Sequence, residues 1–219
     1  MVIVHSSDPV VLVGGADLGP QDLNIPQKEL TSFVGVDRGA DHLVAHGITP
    51  VAVIGDLDSI SDDARTKFAD LLHHIQEQDT VDFEKALVRV AAPLIYAVGF
   101  AGGRLDHTLA VLHVMGRHPD RRVILLSADD ASMIVPEAGL SLALPVGTRI
   151  SLMPLAPSKV TASGLRWPVN GQEFAPLGFT SPSNEAAAGT LAIAATGCVI
   201  VTVPRLALAA LAQAALRAE

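Results

Sequence analysis

The sequence predicts an α/β domain followed by an all-β domain, and three observations carry that prediction. From Val10 to about Ser127, short unbroken apolar runs alternate with segments of helical periodicity, the pattern required by a parallel sheet covered on both faces. Beyond Ala128 the helical periodicity fades, and short apolar stretches are punctuated by residues such as Pro136, Gly139, Pro145, Gly147, Gly164 and Gly171. That spacing suits an antiparallel sandwich. The 219 residues, 49% of them hydrophobic, are enough for two modest domains, each burying a core. The expectation is a Rossmann-like parallel sheet with helices on both faces over residues 1–128, then a β-sandwich over 129–219, with the change between Leu126 and Ser132.

The strands of the first half are expected at Val10–Val13, Ser32–Val36, Val51–Ile54, Leu94–Val98 and Val123–Leu126, with a weaker one near His74–Gln76. A helix begins near Arg38 and ends at Gly47. Ser61 caps a second helix whose first turn carries Asp62 and Asp63, acids that complement the positive end of the helix dipole. Phe83, Leu87 and Val90 mark the buried face of a third helix, which stops before Pro93, because proline cannot continue it. At the end of the chain, Leu206–Arg217 is rich in Ala and Leu and helical by propensity.

The formal net charge is -8, and no Lys/Arg cluster interrupts it, which argues against nucleic acid or an anionic membrane as partner. The single Cys198 lies in an apolar run and has no partner for an internal disulfide, as expected in a reducing, cytoplasmic setting. The start, MVIVHSSDP, lacks the basic and apolar regions of a signal peptide, and no run is long enough to span a membrane.

In an open α/β sheet the ligand crevice lies beyond the carboxyl ends of the strands. Those places are acidic here. Asp37 follows the second strand, Asp56 and Asp58 the third, Asp79 and Asp82 the weak fourth, and Gly102-Gly103-Arg104-Leu105-Asp106-His107 the next. Each acid alone has a turn or cap reading, but their recurrence at four strand ends points to one crevice. Carboxylates crowded together need a cation among them, and an all-oxygen set suits magnesium, or manganese in its place. No Cys/His grouping has zinc spacing. Two glycines let backbone N–H groups approach a phosphate, and Arg104 can grip two of its oxygens. The chain has no GxxxxGK[ST] loop, and Gly14-Gly15 with Gly19 misses the GxGxxG spacing.

Read in order, Gly55-Asp56-Leu57-Asp58-Ser59, then Asp79 with Asp82-Phe83-Glu84-Lys85-Ala86-Leu87, then Gly102-Gly103-Arg104-Leu105-Asp106-His107 resemble the three signature segments of the thiamin pyrophosphokinase family. Val36-Asp37-Arg38-Gly39-Ala40 resembles its Asp-Gly-Gly-Ala segment. Gly164-Leu165-Arg166-Trp167-Pro168 and Ser183-Asn184-Glu185 resemble its thiamin-side segments. The resemblance runs from about Phe33 to Val203. It implies an α/β domain followed by a β-sandwich, a homodimer with thiamin near the subunit interface, and transfer of a pyrophosphoryl group from ATP to thiamin.

On that resemblance Asp37, Asp56, Asp58 and Asp82 are the expected metal ligands. Asp56, Asp58, Asp82, Arg104 and Asp106 are the expected catalytic set, with Asp106 either binding metal or accepting the alcohol proton. Arg38, Gly102, Gly103, Arg104 and His107 are expected at the phosphates. Trp167, Ser183 and Asn184 are expected at thiamin, with a packed sandwich position as the other reading of Trp167 and a plain turn as the other reading of Ser183 and Asn184. Three departures stand out: Arg38 where the family usually has Gly, Gln78 where Lys is common, and Val81 where Thr is usual. A metal-dependent phosphoesterase and a non-catalytic nucleotide-binding module are the alternatives to the kinase reading.

Overall fold

The computed structural model describes residues 1–19, 22, 23, 25 and 32–218. The fold is of mixed α/β class and divides into two compact units, one of Met1–Val114 with Leu125–Ala128 and the other of Met115–Ile124 with Asp129–Glu219. Among the described residues no helix is long and apolar enough to cross a membrane.

In chain order the first part holds β1 (Val4–His5), β2 (Val10–Val13), β3 (Ser32–Val36), α1 (Gly39–Ala45), β4 (Ala52–Gly55), α2 (Asp62–Lys67) and β5 (Leu72–His74). Then come α3 (Asp82–Leu87), β6 (Val90–Ala91), β7 (Ile95–Val98), α4 (Leu105–Arg117) and β8 (Val123–Leu126). Within the first unit the parallel order is β7-β2-β3-β4-β5, with Val10 beside both Ser32 and Ile95, Val34 beside Ala52, and Val53 beside Leu72. Strands β2, β4 and β7 are buried at every residue, which explains their unbroken apolar runs.

The local signals act as expected at several ends. Ser61 Oγ accepts the Ala64 N–H and caps α2. Gly47, at φ 66°, donates to the Val44 carbonyl and closes the turn after α1, a left-handed conformation that glycine adopts without strain. Two expectations shift. The weak strand lies at Leu72–His74 rather than near His74–Gln76. Val90 lies outside α3 and starts β6, which pairs with β1; a run too short to separate the two periods misled the reading.

The second unit is antiparallel. It comprises β9 (Asp130–Ile134), β10 (Leu140–Ala143), β11 (Arg149–Pro154), β12 (Ser158–Ser163), β13 (Val169–Phe174), β14 (Ser181–Glu185), β15 (Thr190–Thr196), β16 (Val199–Pro204) and α5 (Leu208–Arg217). One run of strands is ordered β9-β16-β11-β14 and the other β10-β15-β12-β13. Burial alternates residue by residue along β10 and β12, the mark of sheets with one packed face. Helix α5 packs on β10 and buries Leu208, Leu211, Ala212, Ala214 and Ala215.

One close approach fixes how α1 leaves the sheet. A Cβ at Gly39 would lie 1.7 Å from the Val13 carbonyl oxygen at the end of β2, and backbone on both sides leaves no soft neighbour to yield. Gly39→Ala is expected to destabilise the protein by about 3 kcal/mol or more, read as a lower urea midpoint; a midpoint within error of the parent excludes this packing argument.

Candidate active site and metal centre

The side chains after β3, β4 and β5 form one group because these strands are neighbours. Asp37 directly follows β3 at φ 47°, with its backbone N–H donating to the Ile54 carbonyl of β4 at 3.1 Å. It is buried, Ser59 Oγ donates to its Oδ2, and its Oδ1 has no hydrogen-bond partner among the described residues. A buried carboxylate oxygen left unpaired is costly, and a cation held there would offset that cost. Asp56 and Asp58 follow β4, with Leu57 between them at φ 61°. Asp37, Asp56 and Asp58 each offer an oxygen within 4.8 Å of the others, a hard all-oxygen donor set that fits Mg2+ or Mn2+.

Asp82 begins α3 and joins the group through Lys85. The Lys85 ammonium lies 3.1 Å from Asp56 Oδ2 and 3.0 Å from Asp82 Oδ1, and its side chain is 2% exposed. Burial by itself raises the pKa of Asp56, but the hydrogen bond and charge of Lys85 and the Asp58 backbone N–H outweigh it, so Asp56 titrates below the usual carboxylate range. Asp58 moves the other way. The charge of Asp56 is the largest cause, followed by burial and the charge of Asp37, with Asp82 adding to them. Burial lowers Lys85, and its bonds to Asp82 and Asp56 reverse this and hold it above its ordinary value.

The glycine loop follows β7 in the same unit, and Phe100 at its start packs on Phe83 of α3 with ring centroids 4.8 Å apart. Strand β7 is separated from β3 by β2, so the residues after it do not adjoin those after β3 within the sheet order. Gly102 and Gly103 have φ of 87° and 66° with open space where a Cβ would stand. Arg104 clasps Asp106 with Nε to Oδ1 at 3.1 Å and a terminal nitrogen to Oδ2 at 2.5 Å, both side chains exposed. That contact holds Asp106 below its usual range and raises Arg104. His107 is exposed in the first turn of α4, and Arg38 is exposed just before α1, its Cβ 2.9 Å from where a Gly15 Cβ would stand.

In the second unit, Trp167 is 54% exposed and so is not a core residue of the sandwich. The Arg166 guanidinium sits 4.9 Å from its ring centroid and bonds Glu185 at 2.9 Å. Asn184 is buried, with its amide donating to the Trp167 carbonyl at 2.8 Å and Ser181 Oγ at 3.1 Å. Its oxygen accepts the N–H groups of Trp167 and Glu185. Asn184 thus fastens the Trp167 backbone and has no donor left over. Ser183 is exposed, at φ 55°, with its N–H donating to Ser151 Oγ at 3.0 Å.

Two family models match in succession: Thiamin pyrophosphokinase, catalytic domain, over residues 27–125, and Thiamin pyrophosphokinase, vitamin B1 binding domain, over residues 140–196. The chain belongs to the thiamin pyrophosphokinase family. Thiamine pyrophosphokinase 1 of Arabidopsis thaliana is 32% identical to it over 155 residues, 62% of this chain and 58% of that relative. The match to the Arabidopsis relatives therefore spans little more than half of their length. Thiamine pyrophosphokinase of Bacillus subtilis (strain 168) is 29% identical over 172 residues, 73% of this chain and 80% of that one. Among solved structures, thiamin pyrophosphokinase from Geobacillus thermodenitrificans superposes with a TM-score of 0.77 at 24% identity, covering 90% of this chain and 96% of that one. Thiamin pyrophosphokinase from Candida albicans does so with 0.75 at 17% identity, covering 93% and 95%. At these identities the likeness is one of fold.

Within the thiamin pyrophosphokinase family the departures now have surroundings. Gln78 donates from Nε2 to Asp56 Oδ2 at 3.4 Å, so a neutral donor faces the acid where the family commonly has Lys. Val81 is the N-cap of α3 in extended backbone and makes no side-chain cap bond. The sequence reading missed Lys85 as a member of the site, though its place three residues after Asp82 on a helix is a signal for an ion pair. It also missed Ser59, whose bond to buried Asp37 leaves no mark on local periodicity.

Two outcomes are expected. Val81→Thr supplies the absent cap and raises stability by about 1 kcal/mol, read by urea unfolding; no gain would remove the capping argument. Asp58→Asn removes a carboxylate whose ionisation its neighbours oppose, so the metal-free melting temperature rises while the upward shift produced by Mg2+ shrinks. A metal-free melting temperature that falls contradicts the assigned repulsion.

Proposed function

We propose that the chain transfers the pyrophosphoryl group of ATP to the hydroxyl of thiamin, giving thiamin diphosphate and AMP. The observation that carries this reading is the unpaired, buried Oδ1 of Asp37 within a three-carboxylate group, in a chain that both family models match. The proposed architecture of the first domain is Rossmann-like, a parallel sheet with helices on both faces, supported by strands buried at every residue. The domains are read as residues 1–128 for ATP and metal and 129–219 for thiamin.

Asp37, Asp56 and Asp58, with Asp82 beside them, would hold Mg2+. When bound, the ion offsets charge on the phosphates of ATP. Every other contribution is one of alignment and charge. The primary alcohol of thiamin attacks the β-phosphorus, and AMP leaves with the bonding electron pair. Arg104, Arg38, His107 and the open backbone of Gly102 and Gly103 are assigned to the phosphates. Asp106, clasped by Arg104 and held below the usual carboxylate range, is a weak base, which favours its orienting Arg104 over its taking the alcohol proton. Trp167 is assigned to stack on the pyrimidine, Asn184 to hold it in place, and Ser183 to the ring edge. A homodimer in the cytoplasm completes the reading, on the strength of the family resemblance.

With Mg-ATP the protein is expected to release AMP only when thiamin is added, and Asp56→Asn should lower that rate by about 100-fold or more. Phosphate release equal with and without thiamin, and no thiamin-dependent AMP, would sink the kinase reading in favour of a phosphoesterase. An Asp56→Asn variant as active as the parent removes Asp56 from the centre.

A further inference from the structure

We infer that Lys85 is a positioning residue that serves as a built-in cation on one side of the acid group, leaving the Asp37–Asp56–Asp58 side to the divalent ion. This rests on the metal-centre reading above and goes beyond it by assigning a role to a residue outside the ligand set.

Lys85 stands out because it is the one buried lysine among the described residues, and both of its carboxylate partners belong to the site. Its neighbours on α3, Phe83, Glu84, Ala86 and Leu87, are buried as well, so the stem is anchored and the ammonium cannot swing to solvent. Two donors, Lys85 Nζ at 3.1 Å and Gln78 Nε2 at 3.4 Å, converge on Oδ2 of Asp56. Among the described residues, Oδ1 of the same carboxylate meets only the Asp58 backbone N–H, at 3.4 Å. The carboxylate is therefore turned, with one oxygen committed to the protein's own cation and the other left to the cluster. Asp82 is pulled to the same ammonium from the first turn of α3.

Such an arrangement answers a selectivity problem. Four carboxylates with no internal cation would draw divalent ions tightly and in several positions, because each added negative charge strengthens the attraction in a partly buried site. A fixed ammonium takes one of those positions and cannot be exchanged for a metal. The remaining ion is then held more weakly but where Asp37, Asp56 and Asp58 place it, and alignment rather than tightness governs transfer between phosphate and alcohol.

The role has a signature that mere packing lacks: metal affinity and turnover move in opposite directions. Mn2+ binding is followed by loss of the free-ion electron paramagnetic resonance signal, without nucleotide, and thiamin-dependent AMP formation is measured on the same preparations. Lys85→Met is expected to bind Mn2+ on the order of 10-fold more tightly, while turnover falls at least as far. Lys85→Gln, which keeps a donor, should lie between, and Lys85→Arg should return Mn2+ affinity toward the parent. If Lys85→Met and Lys85→Gln do not fold in metal-free buffer, saturating Mn2+ is expected to restore their native circular dichroism, and failure to do so overturns the proposal. Affinity and turnover that fall together, or affinity that stays at the parent value, also overturn it. A parent protein that binds no Mn2+ removes the metal centre itself, an outcome distinct from the failure of Lys85.

Discussion

Carboxylates brought within 4.8 Å of one another repel, and the local structure of the first unit is arranged around that repulsion. Asp58 bears the consequence, its pKa raised first by the charge of Asp56, then by burial and the charge of Asp37. The offset comes from Lys85, which enters from α3 and touches both Asp56 and Asp82. For this contact to exist, the turn between β5 and α3 must deliver Asp82 and Lys85 together. Glu77 does part of that work, accepting the N–H groups of Asp79 and Thr80 at 2.9 Å and 3.1 Å. A buried ion pair of this kind is weak support for stability but strong support for geometry, because removing one member leaves the other uncompensated.

The same crowding accounts for backbone that is otherwise unfavourable. Asp37 and Leu57 adopt positive φ, which L-residues seldom do without compensation. Asp37 is one carboxylate of the group, and Leu57 lies between the other two. Gly55 leads into the acidic turn, and a Cβ there would lie 3.0 Å from that of Asp37. Strain concentrated at the ends of β3 and β4 turns three carboxylates toward one place, and the buried sheet behind them holds it. Asn184 plays a comparable part in the second unit. Its side chain makes four internal hydrogen bonds, two of them to the Trp167 backbone and the others to Ser181 and Glu185, and an aromatic ring stays exposed on a rigid support.

Much of this was legible along the chain. The periodicity of β2, β4 and β7 marks fully buried strands, and Ser61 and Gly47 act as cap and stop, because short-range hydrogen bonding and backbone preference decide such ends. Where the signal was short it misled: Leu72–His74 reads weakly, and Val90 looks like a helical position although it lies in β6. Side-chain roles were harder. Asn184, expected at thiamin with a plain turn as the other reading, is buried and its amide hydrogens are already spent within the protein, and nothing in its neighbours' identities announces the Trp167 backbone groups it binds.

By itself, then, the sequence determined the class of the fold, the punctuation of its elements and the placing of acids just after strands, all of which follow from periodicity and local chemistry. Tertiary structure alone decided which acids are neighbours. The order β7-β2-β3-β4-β5 sets Asp37, Asp56, Asp58 and Asp82 behind adjacent strands and puts Arg104 and Asp106 behind β7, beyond β2. Strand order arises from crossovers and the burial of whole faces, which no window of local sequence encodes. For the same reason only the packed molecule shows Lys85 as the cation among those acids, since burial is a property of what surrounds a side chain and not of its place in the chain.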